Sequence, residues 1–317
     1  MNAAPPPAVV FHLQDNRIAE SSGLVASPSH AGAYWTHNDS GDTSRLFAVD
    51  GKGRTLGVWR LRVAAARDWE AVTARTTPRP EIWVGDIGDN GSRRTNGILV
   101  HRMVEPARLA GGGSVAATSY RLRYPDGPHD AEAMFFGADG RLRIVTKSLL
   151  GGGIYVAPAA LDASYPTVLR RVGDAPPVVT DGAELPDGGY VLRNYTDAFV
   201  YDADGRLRTS MALPDQPQGE SVAVVHGGRD LLIGSEGEHS AVLEVPLPAE
   251  ARRAPSASPT DRPATRPAGS STGRDDNRSA TSHQVRVVVG GAAAALALAV
   301  VLGVAARLGR RRARRRR

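Results

Sequence analysis

Acidic side chains recur in this chain in one setting, directly ahead of a short apolar run. His129-Asp130-Ala131-Glu132-Ala133-Met134 is the fullest copy, and Asp68-Trp69-Glu70-Ala71-Val72 repeats its Asp-x-Glu-Ala-apolar order. Glu20-Ser21-Ser22-Gly23-Leu24, Gly182-Ala183-Glu184-Leu185 and Gly219-Glu220-Ser221-Val222 are looser copies. Glu20, Glu70, Glu132, Glu184 and Glu220 stand 50, 62, 52 and 36 residues apart, intervals that suit a repeating structural unit. A single Asp-x-Glu pair could act as general acid and base. Five recurrences read instead as one contribution per repeat to a shared ring. Carboxylates crowded about one axis cannot all stay ionised without a cation or bound protons. A hard cation with oxygen ligands, Ca²⁺ ahead of Mg²⁺, is the natural occupant. The structural alternative is that each Glu accepts backbone N–H bonds from the next repeat and locks the ring. Asp68, Asp130 and Asp181 would lie close behind the five.

A second layer of polar residues follows. Asn38-Asp39-Ser40-Gly41-Asp42 aligns with Gly85-Asp86-Ile87-Gly88-Asp89, each after a short Trp-containing stretch (Trp35, Trp83). The matching positions further on hold Lys147, Arg193-Asn194 and Glu236-Gly237-Glu238. Asp39 and Asp86 are thus further candidate metal ligands, and Asn38, Asn194 and Glu236 candidate ligand contacts. Lys147 and Arg193 facing the acids would suit a cation together with an anionic ligand. In a metal-dependent phosphoric ester hydrolase, metal-held water would attack while these two neutralise the phosphate, and His37 would be a candidate base. Asp and Gly at such places also arise from Asx-turn geometry, a reading that applies most to Asp42 and Asp89. His129 and His239 also adjoin acidic loops.

The elements that must position these residues read as short strands broken by turn chemistry, with Asp-Gly turns at Asp50, Asp139, Asp187 and Asp204. Four strands precede Asp68, and comparable sets follow Asp68, Asp130 and Ala183. The last set, from Ser221, shows three, and the otherwise spare segment Val9–Leu13 can complete it and close a ring. The expected fold is all-β, a β-propeller of four-stranded blades. Five is the direct count, and six stays open because the interval between Glu70 and Glu132 is long. An all-β sandwich or barrel is the competing architecture. No stretch within 8–248 reads as a long amphipathic helix.

Composition narrows the function. The net charge of +6 belongs to the C-terminal region. Eight arginines in 307–317, Arg286, and six arginines against four acids in 249–284 leave residues 1–248 at −5. That balance argues against a nucleic-acid partner. With no cysteine, disulfides, thiol nucleophiles and Cys-ligated metals are excluded. No nucleophile elbow, P-loop, dinucleotide fingerprint or His-Glu-x-x-His is present.

The chain divides into residues 1–7, the propeller at 8–248, a Pro/Ser/Thr/Arg-rich linker at 249–284, a membrane-spanning helix at 285–308 and an Arg-rich tail at 309–317. The linker composition cannot bury a core. Val287–Ala306 is uncharged over 20 residues, enough to cross a bilayer. The arginines after it place the tail in the cytoplasm and the propeller outside. The N-terminus shows no signal peptide, so export calls for a start upstream of Met1. A tail-anchored orientation would instead drag eight arginines across the membrane. The expected state is a monomeric ectodomain meeting an extracytoplasmic ligand or partner.

Glu-Ser-Ser-Gly-Leu, Asp-Trp-Glu-Ala-Val and Gln218-Gly-Glu-Ser-Val occur together with Trp35-Thr-His-Asn-Asp-Ser-Gly-Asp and Gly85-Asp-Ile-Gly-Asp-Asn. With these elements the chain resembles exported bacterial propellers of the SdiA-regulated and phytase-like (esterase-like) group over about residues 15–247. The resemblance implies a propeller with a calcium site in the channel, and its phytase-like label implies phosphate-ester hydrolysis. This sequence lacks the dense Lys/Arg cluster a polyphosphorylated substrate would need. A ligand-binding propeller with a structural cation is therefore the first expectation, and a calcium-dependent phosphoesterase the second.

Overall fold

A computed structural model describes residues 7–39 and 41–252. These contain 21 β-strands and no helix. A first set comprises β2 (Ser21–Ala26), β3 (Ala33–Asn38), β4 (Arg45–Asp50) and β5 (Thr55–Arg62). A second comprises β6 (Trp69–Arg75), β7 (Glu81–Asp86), β8 (Ile98–Val104) and β9 (Gly113–Arg123). The third is β10 (Ala131–Phe136), β11 (Leu142–Thr146), β12 (Gly152–Val156) and β14 (Arg170–Ala175), with the two-residue β13 (Thr167–Val168) outside it. The fourth is β15 (Asp181–Glu184), β16 (Tyr190–Arg193), β17 (Asp197–Tyr201) and β18 (Leu207–Ala212). The last is β19 (Gly219–Val225), β20 (Asp230–Ser235), β21 (Ala241–Pro246) and, from the other end of the chain, β1 (Ala8–His12). Each set is antiparallel in strand order, and β1 pairs with β21 as the spare N-terminal strand suggested.

The strand faces explain why the sets surround a common axis. Successive side chains point to opposite faces of a strand, and in β2, β6, β10 and β19 both faces are buried over most of their length. In β10, Phe135 packs with Val145, Ile154, Tyr190 and Leu192 towards the fourth set. Its neighbours Met134 and Phe136 pack with Trp83, Val100 and Tyr120 of the second. That is why Ala131–Phe136 is almost continuously apolar and does not alternate. Further clusters join the first and second sets through Trp35, Leu46, Trp69 and Ile82, and the fourth and last through Val191, Val200, Val222 and Leu231. Phe11, Phe47, Val49, Ala223 and Leu232 join the last set to the first. β2, β6, β10, β15 and β19 each pack against the next, and β19 returns to β2. The fold is an all-β propeller.

Two details depart from the sequence expectation. The stretch Thr167–Val172 is not one strand, because Thr167–Val168 pairs parallel with Leu122–Arg123 while the strand from Arg170 pairs with β12. β9 is also longer than β8, and its overhanging start pairs parallel with Trp59–Arg62 of β5. This covers an outer edge that would otherwise present unpaired backbone groups. The proposed linker beyond residue 252, the membrane-spanning helix and the tail lie outside the described residues.

Candidate functional site

The first strand of each set begins at the same end of the ring, where the second strand finishes. A backbone bond clamps this end in four sets. Asp39 N–H donates to the Glu20 carbonyl, Gly88 to Asp68, Lys147 to Asp130 and Glu236 to Gln218. The register then skips one residue, a β-bulge that re-aims the extra side chain. The skipped residues are Ser22, Glu70, Glu132 and Glu220. In the fourth set the register runs unbroken from Asp181 opposite Arg193.

This corrects two of the five expected ring members. Glu20 precedes the bulge and occupies the position of Asp68 and Asp130, while Ser22 holds the bulge. Glu184 closes β15 at the opposite end and is exposed. Its place is taken by the fully buried Asp181, which accepts from Gly182 N–H and, across to the last set, from Val222 N–H, both at 2.7 Å. A bulge shifts register by one residue, so spacing alone could not align the sets.

Glu70, Glu132 and Glu220 are each under 5% exposed. Asp39, Asp68 and Glu70 each offer a carboxylate oxygen, all within 4.8 Å of one another. Burial, then Asp39 and Asp130, push the Asp68 carboxyl up to about 7. Burial, then Glu132, Asp39 and Asp68, hold Glu70 well above the carboxylate range. Asp130 is raised by burial although it accepts the Asp89 N–H at 2.6 Å. Glu132 and Glu220 are raised too, burial outweighing the pull of Lys147 on each.

Lys147 sits among these acids. Its Nζ lies 3.1 Å from Glu132 Oε1 and donates to the Tyr195 hydroxyl at 3.2 Å. Burial works against the ammonium, but Glu132, followed by Glu220, Tyr195 and Glu70, pushes its pKa well up. One ammonium thus sits among several buried carboxyl groups, and burial with their mutual repulsion favours the protonated form of those it does not pair.

Other candidates serve the frame. Arg193 is fully buried and donates to the carbonyls of Asn194 and Ser221 and to Gln216 Oε1, so it stitches the fourth set to the last and does not face an incoming anion. His37 is also fully buried, its Nδ1 against the Asn38 carbonyl, and burial lowers its pKa to about 4. A ring sealed from solvent cannot serve as a base there. Asp86 accepts from Arg94 Nη2 at 2.6 Å and from the N–H groups of Arg67 and Asp68, shaping the loop that presents Asp68. Asn38 accepts from Glu20 N–H and donates to Arg17 O and Asp42. Asn194 Oδ1 caps a turn by accepting from Thr196 and Asp197 N–H. Glu236 is half-buried where β20 ends.

Sequence reasoning missed Ser22, Tyr195 and Arg94. Ser22 could be found only through the bulge, and Tyr195 by its place after the second strand of its set, beside Asn194. Arg94 lies in a loop without pattern. Its Nη1 donates to the carbonyls of Asp86 and Gly88. Gly88 in turn lies so close to the acids that an added Cβ would meet Asp68 Oδ2 at 2.5 Å and Glu70 Oε1 at 2.6 Å.

No protein-family model matches the chain. No curated protein matches it. Similar solved structures include a gluconolactonase from Xanthomonas campestris, at 14% identity over 78% of this chain and 96% of that one, with a TM-score of 0.45. A PQQ-bound aldose sugar dehydrogenase from Streptomyces coelicolor shares 12% identity over 76% and 99%, with a TM-score of 0.44. A streptogramin B lyase shares 15% over 75% and 72%, with a TM-score of 0.41. At these values the functional reading must come from the chain's own residues.

Proposed function

We propose that this chain is a five-bladed propeller that binds a ligand or partner at the acidic end of its ring, with a divalent cation, Ca²⁺ first, held there. The observation that carries the reading is the approach of Asp39, Asp68 and Glu70 to within 4.8 Å. Calcium–oxygen distances are about 2.3–2.6 Å, so oxygens on opposite sides of one ion lie roughly 5 Å apart. All-oxygen donors suit a hard cation, and a double positive charge would relieve the repulsion that now holds Asp68 and Glu70 partly or wholly protonated. Asp39, Asp68 and Glu70 would hold the ion, and Glu132, neutralised by Lys147, would flank it. The count of five blades is supported by the five four-stranded sets and the five interfaces between them.

Binding is favoured over phosphate-ester hydrolysis because the two cations that hydrolysis would require are engaged, Lys147 with Glu132 and Arg193 with buried carbonyls. The SdiA-regulated, phytase-like grouping stays part of the proposal at the level of its motifs. So does an extracytoplasmic propeller anchored by Val287–Ala306, with its arginines in the cytoplasm. Membrane fractionation of the full chain, with protease protection of its C-terminus, tests the anchor.

Calcium titration of the full chain by calorimetry tests the site. Saturable binding in the range of about 10⁻⁴–10⁻³ M or tighter, as in extracellular calcium modules, is expected, with loss in Asp68→Asn. No heat of binding, or binding that Asp68→Asn leaves unchanged, rejects it.

A further inference from the structure

The opposite end of the strands carries a different kind of site. Between the second and third sets lies a cavity of about 480 Å³, within the range of roughly 300–1,000 Å³ that holds small ligands. Three guanidinium groups line it, from Arg75 at the end of β6, Arg79 in the following loop and Arg102 in β8. Two of them are held over aromatic rings. Arg75 Cζ sits 4.7 Å from the Phe136 centroid, and Arg102 Cζ sits 5.8 Å from Trp83 and 5.6 Å from Tyr120. Stacking fixes the plane of a guanidinium while leaving its edge N–H donors available to an oxyanion.

The charge is not balanced locally. Glu81 is the one carboxylate lining the cavity among the described residues, and it is buried. It accepts from Trp83 Nε1 and Arg79 Nε, each at 3.2 Å, and stands 3.9 Å from Arg102 Nε. Glu184 feels Arg143 and, less strongly, Arg75, but does not line the cavity. Three positive charges thus face one committed negative charge, and Leu161 completes an apolar wall.

We propose that this cavity binds a small organic anion, its oxyanion held by Arg75 and Arg102 and its carbon skeleton against Leu161. The site is separate from the acidic end and opposite to it in charge, so one molecule could hold a cation and an organic anion at once.

Calorimetric titration of the full chain with phenyl phosphate, with inorganic phosphate and benzyl alcohol as the comparison arms, tests this. The expected result is saturable binding of phenyl phosphate, weaker binding of phosphate and none of benzyl alcohol. Arg75→Gln and Arg102→Gln should each weaken phenyl phosphate by about tenfold, the scale of one charge-assisted contact. Ala160→Glu tests the site without disturbing the stacked arginines, because Ala160 is exposed and lines the cavity. It should abolish binding at an unchanged melting temperature, while Asp68→Asn should bind phenyl phosphate as the parent does. No binding of phenyl phosphate, equal binding of inorganic phosphate, or insensitivity to both Arg102→Gln and Ala160→Glu would overturn the proposal.

Discussion

The Ser22 hydroxyl donates a 3.2 Å hydrogen bond to Glu70 Oε2 across the boundary between the first two sets. Both residues sit at the bulge of their own first strand, so the bond joins equivalent positions in neighbouring repeats. Glu70 is thereby tied to the first set while it also belongs to the group formed with Asp39 and Asp68. A small neutral side chain at the first bulge also keeps a further carboxylate out of a crowded space, where another charge would raise the cost of ionisation.

Calcium binding should depend on pH with a definite sign. Asp68 has a folded pKa of about 7, above its ordinary value of 3.8. Between those values the folded chain without metal holds a proton that the unfolded chain has released. The contribution of Asp68 to stability therefore falls as pH rises through this window and is lost above about pH 7. Calcium competes with that proton. The gain in melting temperature on adding Ca²⁺ should therefore be small near pH 5 and grow to about pH 8. Calorimetric scans across this range check it, and a calcium gain independent of pH would remove Asp68 from the ligand set.

Gly88→Ala tests the geometry without removing a carboxylate. The added methyl would lie 2.5 Å from Asp68 Oδ2 and 2.6 Å from Glu70 Oε1, so both side chains must move. Displacing two of three ligands should weaken calcium by at least about tenfold, or roughly 1.4 kcal/mol. Titration of the variant reads this directly. Unchanged affinity would place the ion elsewhere.

Much of this architecture was legible in the residues. The apolar runs, Asp-Gly turns and spare N-terminal strand are local signals, and they led to the four-stranded sets and the pairing of β1 with β21. Glu70, Glu132 and Glu220 were legible for the same reason, because each stands two residues beyond a polar position just ahead of its first strand. Glu20 misled because it stands two residues ahead of the bulge, which Ser22 holds, and Glu184 because β15 has no bulge and its buried acid is Asp181, three residues earlier. The roles of Arg193 and His37 were hidden for another reason. The partners that engage Arg193 across the ring are Gln216 Oε1 and the Ser221 carbonyl, which the fold brings in from the last set and the loop before it, and no short stretch of sequence records that approach.

Lys147→Met should be among the most damaging single changes at the acidic end. It leaves Glu132 buried without its ammonium, and breaking a buried pair in this way costs about 3–5 kcal/mol. Glu132→Gln in the same chain should recover much of the loss, since it removes the uncompensated charge. Denaturant unfolding of the two single variants and the double variant gives the coupling between them. Purely additive losses would mean that the 3.1 Å contact is not the interaction that matters.

Asp181 makes the last prediction, because it stands where the fourth set lacks a bulge glutamate. Its two oxygens accept the N–H groups of Gly182 and Val222, so it ties β15 to β19. Asn in its place retains one acceptor and turns a donor towards the other N–H, leaving a buried donor without a partner. The expected cost is about 1–3 kcal/mol. In a propeller of this size that lowers the melting temperature by several degrees, at about 2–4 °C per kcal/mol. Calcium affinity should stay as in the parent, since Asp181 is not among the three grouped carboxylates. Scanning calorimetry with and without Ca²⁺ separates the two effects. A variant that melts normally but loses calcium would move Asp181 from the frame into the metal site.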